Sequence, residues 1–136
     1  MGYKSLFLVE DNPIFVEFFI QSVALLEENC HVTVCRTGGE ALDQLKADER
    51  SLDLALVDLG LPDMDGIEVI RALAQLPRSF PIMVVSVNRT PSRLFEAIRA
   101  GAHGYVVKGD AELSVMRAME QLMQGIYPIS PLGHLD

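Results

Sequence analysis

Two short runs restrict the fold open to this chain more than any other feature. "LALV" at 54–57 and "IMVV" at 82–85 are continuously apolar rather than alternating, the pattern of strands buried on both faces of a parallel sheet. With three further runs they give five candidate strands, Ser5–Val9, His31–Arg36, Asp53–Asp58, Pro81–Ser86 and Gly104–Val107. Between them the apolar residues switch to helical spacing. Over 12–28, Phe15, Phe18, Phe19, Ser22 and Leu26 mark one face, opened by an Asn12 cap and Pro13 in the first turn. Ala41, Leu42 and Leu45 mark a second helix over 38–48, and Ile67, Ile70, Leu73 and Ala74 a third over 66–76. The fourth starts at Thr90-Pro91 and stops at Gly101. The last, over 111–124, carries Val115, Met119, Leu122 and Ile126, with Met116, Met119 and Met123 expected as core filler. Five strand–helix units with right-handed crossovers predict an α/β, doubly wound, five-stranded parallel sheet with helices on both faces, for which the order 2-1-3-4-5 is one of the two common solutions.

At 136 residues the chain fits one domain. No composition shift interrupts it before about residue 126, so the expected domain is 1–126, and "YPISPLGHLD" over 127–136 reads as a tail or the start of a linker. The net charge of -8 gives no bulk attraction to DNA, so direct nucleic-acid binding is not expected. Cys30 and Cys35 bracket a candidate strand whose length holds them roughly 17 Å apart, too far for a disulfide. Free thiols, no secretory signal and no apolar run of 18 residues lead to an expected cytoplasmic location with no membrane span.

In a parallel sheet all strand C-termini share one edge, and ligands bind there. The first candidate strand is followed by Glu10 and Asp11; the third ends in Asp58, the fourth in Ser86, and the fifth is followed by Lys108. Three carboxylates, a hydroxyl and an ammonium therefore converge. Carboxylates a few Å apart repel by roughly 4 kcal/mol per close pair at an effective dielectric near 20. Such a cluster raises a carboxylate pKa or binds a cation, and few hard oxygen ligands suit Mg²⁺. Mg²⁺, Lys108 and Ser86 around Asp58 have the parts of a phosphoryl clamp with Asp58 as nucleophile. After it, "LGLPDMDG" is constrained by Pro62, Gly60 and Gly66, a loop able to aim the Gly60 carbonyl at a metal. Asp63 and Asp65 are expected to cap the helix near Gly66. Two enzyme readings lack their parts. "VEDNPIF" offers acids where a flavodoxin-type cofactor protein needs a phosphate loop, and Asp58-Leu59-Gly60 lacks the D-x-D of an Asp-dependent phosphatase.

With these residues in view, the chain resembles the receiver domain of two-component response regulators over nearly its whole length. The resemblance is carried by "VEDN", "LVDLGLPDMDG", "VVSVN" and "GAHGYVVKG", four motifs in order. It implies the flavodoxin-like (CheY-like) version of the fold and a phosphorylation switch rather than an enzyme. It implies that Asp58 accepts phosphate from a sensor histidine kinase. It further implies that Asp11, Asp58 and the Gly60 carbonyl bind Mg²⁺ with Glu10 acting through water, that Ser86 and Lys108 contact the phosphoryl oxygens, and that Tyr105 is a switch aromatic turning inward. Gly109 after Lys108, Val87 after Ser86, and "GIYPISP" after the last helix resemble NarL/LuxR-type receivers, with Gly60 and Asn88 where the family tunes phosphoryl lifetime. That likeness implies homodimerisation on activation and a helix-turn-helix output domain beyond residue 136, so an excised fragment is expected. The alternatives are a stand-alone receiver, or a pseudo-receiver acting as a protein-interaction module.

Overall fold

The computed structural model describes residues 1–47, 51–110 and 112–130. Five strands, β1 (Ser5–Val9), β2 (His31–Cys35), β3 (Leu54–Val57), β4 (Ile82–Ser86) and β5 (Gly104–Val107), form one parallel sheet in the order β2-β1-β3-β4-β5. The helices between and after them are α1 (Pro13–Leu26), α2 (Gly38–Ala47), α3 (Gly66–Ala74), α4 (Pro91–Ala100) and α5 (Val115–Met123). The α/β doubly wound architecture is that expected from the apolar runs, and the flavodoxin-like strand order is the one the family resemblance implied. Residue 48 of the expected second helix and residue 111 of the last lie outside the described residues, as do 131–136 of the tail.

Alternation along each strand feeds two separate cores, which is why the runs read as continuously apolar. Phe7, Val9, Ala55, Val57, Ile82 and Val84 pack beneath α3 and α4 against Ile67, Ile70 and Leu94. Leu6, Leu8, Leu54, Leu56, Met83 and Val85 pack on the other face against Val16, Phe19 and Val23 of α1 and Val115 and Met119 of α5.

Two helices present other faces than their spacing predicted. In α1 the buried residues are Val16, Phe19 and Val23, whereas Phe18 and Leu26 are exposed. "PIFVEFFIQSVALL" carries only Glu17, Gln21 and Ser22 as polar residues, too few to set the phase of an apolar stripe. In α5, Met119 is core and Met116 partly buried, but Met123 and Ile126 face solvent. In α3, Ala74 is exposed, although Ile67, Ile70 and Leu73 are buried as expected. The helix caps fared better. Asn12 Oδ1 accepts from the Ile14 and Phe15 N–H groups, and α4 stops at Gly101 in a positive-φ conformation (φ 126).

The tail expected from residue 127 onward stays on the domain as far as Ser130. It lies along the free edge of β5, where the Tyr105 N–H donates to the Pro128 carbonyl (2.9 Å) and the Ser130 N–H donates to the Tyr105 carbonyl (2.8 Å). Ser130 is buried, and its Oγ accepts from the Val107 N–H at 2.9 Å. An otherwise open sheet edge is thereby paired. Ser130→Ala leaves a buried N–H without its acceptor and is expected to cost about 1–3 kcal/mol. Urea melts would register that loss, and amide exchange should quicken first at Val107; unchanged exchange there would show that the bond does not hold the tail.

Candidate functional site

The register of the sheet brings the expected residues together. Val9 pairs with Val57 and Ser86 with Val107, so the residues that follow emerge side by side. Each is then fixed by one more ladder bond beyond its strand. The Glu10 N–H donates to the Cys35 carbonyl (2.9 Å), the Asp58 N–H to the Val9 carbonyl (2.9 Å) and the Lys108 N–H to the Ser86 carbonyl (2.8 Å). Backbone bonding of this kind aims side chains with little freedom. Asp58 lies in the wall of a cavity of about 620 Å³ shared with Asp11, Gly60, Ser86, Asn88 and Lys108.

The charges are arranged as a bridge. Lys108 Nζ sits 2.5 Å from Glu10 Oε1 and 3.3 Å from Asp58 Oδ2, and 4.7 Å above the ring centroid of Phe15 on α1. The remaining carboxylate oxygens take backbone donors: Asn12 N–H to Glu10 Oε2 (3.1 Å) and Gly60 N–H to Asp58 Oδ1 (3.1 Å). Ser86 is buried, and its Oγ accepts from the Asn88 N–H at 3.2 Å. Asp11 is exposed at the rim. Carboxylate oxygens of Glu10, Asp11 and Asp58 lie within 4.8 Å of one another. Three hard oxygens this close, with Asp11 and Asp58 on the cavity wall and Glu10 buried behind them, fit a small divalent cation that keeps several of its waters, so the donor set fits Mg²⁺.

Glu10 is fully buried, and this dominates its protonation. Burial pushes its carboxyl up to about 7, with Lys108 and the Asn12 N–H pulling the other way and Asp58 adding to the rise. The folded state thus holds this proton more tightly than the unfolded chain. The stability it contributes is complete below about 4.5 and lost as pH rises to about 7. Melts in a chelating buffer should therefore show Tm falling across that window, and Glu10→Gln should remove the slope. A rising Tm from pH 5 to 7 would contradict this assignment. The depressed Asp63, Asp65 and Asp110 act in the opposite sense and at lower pH, below the ordinary aspartate value of 3.8.

Tyr105 is wholly buried, and its hydroxyl donates to the Asn88 carbonyl at 2.8 Å. The aromatic expected to turn inward is already inward here. A hydrogen-bonded path runs from Ser86 Oγ through Asn88 to Tyr105, whose own backbone holds the tail.

The loop after Asp58 corrects one expectation. Asp65 caps α3, accepting from the Ile67 N–H at 3.0 Å, but Asp63 does not. Its two oxygens reach instead across to α2 and accept from Gly38 N–H (2.8 Å) and Gly39 N–H (2.9 Å). A further group was missed. Arg93 of α4 lines the Asp58 cavity and forks onto Asp65, with Nη2 2.6 Å from Oδ1 and Nη1 3.1 Å from Oδ2. Nothing in the local sequence signals an ion pair across 28 residues.

Comparison with known proteins bears on this geometry. Residues 6–120 match the profile of the family described as response regulator receiver domain. The transcriptional regulatory protein PhoP of Escherichia coli is 35% identical over 112 residues, 77% of this chain and 50% of PhoP. The crystal structure of a LuxR-family two-component response regulator from an Aurantimonas species superposes with a TM-score of 0.80 at 27% identity, covering 96% of this chain and 91% of that one. The phosphorylated cyanobacterial phytochrome response regulator RcpA superposes with a TM-score of 0.78 at 26% identity, covering 98% and 100%. The chain spans about half the length of curated relatives such as PhoP and the NarL of Mycobacterium tuberculosis. Among the described residues no helix is long and apolar enough to cross a membrane.

Proposed function

The chain belongs to the response regulator receiver domain family, and from that premise we propose that Asp58 is its phosphoacceptor, charged by the phosphohistidine of a sensor histidine kinase. The observation that carries this reading is the placement of one carboxylate among the full set of groups a phosphoryl transfer needs. Asp58 opens on the cavity with Lys108 at 3.3 Å and a buried Ser86 hydroxyl beside it. An Asp58 oxygen attacks phosphorus in line as the P–N bond to the kinase imidazole breaks, and the imidazole leaves with the electron pair of that bond. Gly60 N–H holds the other carboxylate oxygen, so the attacking atom is oriented before the donor arrives. Lys108 neutralises charge building on the phosphoryl oxygens, and Ser86 Oγ donates a hydrogen bond to one of them. Glu10, Asp11 and Asp58, with the Gly60 carbonyl, would hold Mg²⁺, which when bound supplies the remaining neutralisation.

The acyl phosphate adds about -1.5 to -2 charge to the cavity floor. Charge-assisted hydrogen bonds of roughly 1.5–3 kcal/mol each then draw Ser86 and Lys108 inward, enough to shift a two-state equilibrium. The Ser86–Asn88–Tyr105 contacts offer a route outward to α4, β5 and α5, the surface for dimerisation or for control of an output domain that binds DNA. In this reading the domain acts in the cytoplasm and catalyses no turnover beyond its own phosphorylation and dephosphorylation. Incubation with acetyl phosphate and Mg²⁺ should add about 80 Da to the intact mass. A folded chain that stays unmodified with both acetyl phosphate and a phosphorylated kinase domain would sink the proposal and leave a protein-interaction module.

A further inference from the structure

The cavity above Asp58 has two cations on its walls among the described residues, Lys108 and Arg93, and they are committed very differently. Lys108 already bridges Glu10 and Asp58. Arg93 holds Asp65, which is half exposed and shares its carboxylate with the N-terminus of α3 through the Ile67 N–H. Its second partner, Glu96 at 3.1 Å, is on its own helix and about as exposed as Asp65. The Asp65 pair is bidentate, but both carboxylates stay in partial contact with water, which screens them. Two positive charges thus face one site, one bridging buried acids and one forked onto a carboxylate at the rim that water still reaches.

We propose that Arg93 is a phosphoryl-binding residue of this domain, parked on Asp65 until an anion forms on Asp58. The proposal rests on Asp58 being the phosphoacceptor. A phosphoryl group brings a near-dianion with three acceptor oxygens into the cavity that Arg93 lines, a stronger attractor than one hydrated carboxylate. Guanidinium geometry matches phosphoryl oxygens bidentately, as it now matches Asp65. Exchange of Asp65 for the phosphoryl group would bring the first turn of α4 toward the site and release its tether to the β3–α3 loop. Arg93 takes no part in bond making; it binds the product and stabilises the charged state.

The two partners of this pair make opposite predictions, which a purely structural strut does not. The probe is beryllofluoride with Mg²⁺, titrated calorimetrically into the full chain. Arg93→Met is expected to weaken binding roughly tenfold or more, by loss of charge-assisted hydrogen bonds. Asp65→Asn keeps a competent helix cap but removes the charge that forks the guanidinium, leaving Glu96 alone, and is expected to tighten binding several-fold. The double variant should bind like Arg93→Met alone. If both single variants shift affinity in the same direction, or Arg93→Met binds as wild type does, Arg93 is a strut and the proposal falls. A wild-type chain that does not bind beryllofluoride, or an Asp58→Ala variant that binds it as well, would overturn the phosphoacceptor reading itself.

Discussion

Asp58→Ala is expected to abolish the adduct of about 80 Da formed with acetyl phosphate and Mg²⁺, with no residual labelling at the other acids. None of its neighbours can take over. Glu10 is nearer to Lys108 than Asp58 is, but it is fully buried and holds its proton up to about 7, so it is a poor and inaccessible nucleophile. Asp11 is accessible, but no hydrogen bond among the described residues orients its carboxylate as Gly60 N–H orients Asp58. Ser86 is a neutral hydroxyl, and its Oγ accepts from the Asn88 N–H rather than being held by a base among the described residues. The variant should also remain folded. Removing Asp58 relieves its repulsion with Asp11, up to roughly 4 kcal/mol for a close pair at an effective dielectric near 20, and Lys108 keeps Glu10 as its partner. Intact mass and a thermal melt on the same sample would decide it: labelling persisting in a folded Asp58→Ala chain assigns the phosphoryl group elsewhere.

Gly66→Ala should be the most damaging single methyl group in the domain. A Cβ at this position would stand 2.2 Å from the Asp58 carbonyl oxygen, 2.7 Å from Leu59 Cα and 3.0 Å from the Asp58 carbonyl carbon. All three are backbone, and the Gly66 N–H is itself tied to the Leu59 carbonyl at 3.0 Å, so α3 and the end of β3 must part. Overpacking of a buried site costs 1–3 kcal/mol when side chains can yield; with none to yield, about 3 kcal/mol or more is expected, a large share of a domain's 5–15. Phosphorylation should fall with it, because the displaced backbone is the one that aims Asp58. Gly38→Ala is the control. Its Cβ would meet Met64 Sδ at the same 2.2 Å and Met64 Cγ at 2.3 Å, but both belong to one flexible side chain rather than to backbone. Urea denaturation of the two variants should separate them by a wide margin; equal midpoints would show that α3 adjusts more freely than its contacts imply.

Much of the fold was legible because it rests on local pattern. Strands buried on two faces must be apolar throughout, and "LALV" and "IMVV" are; a parallel sheet must place its strand ends on one edge, and that edge collects Glu10, Asp11, Asp58, Ser86 and Lys108. The phase of α1 was not legible. A helix with three polar residues in fourteen offers several equivalent apolar faces, and the sheet selected the one bearing Val16, Phe19 and Val23.

The sequence by itself determined the parallel sheet and the identity of the acids, hydroxyl and lysine at its edge, since apolar runs and strand termini are properties of neighbouring residues, whereas the strand order was one of two that the pattern allowed. Tertiary structure alone decided how those groups are wired. Asp63 caps α2 from 25 residues away, Arg93 reaches Asp65 across 28, Lys108 crosses from Asp58 to Glu10, and Ser130 returns to Val107. These are contacts between charges and dipoles that the fold brings within 3 Å or so. Their strength comes from burial and distance, and neither exists until the chain has closed.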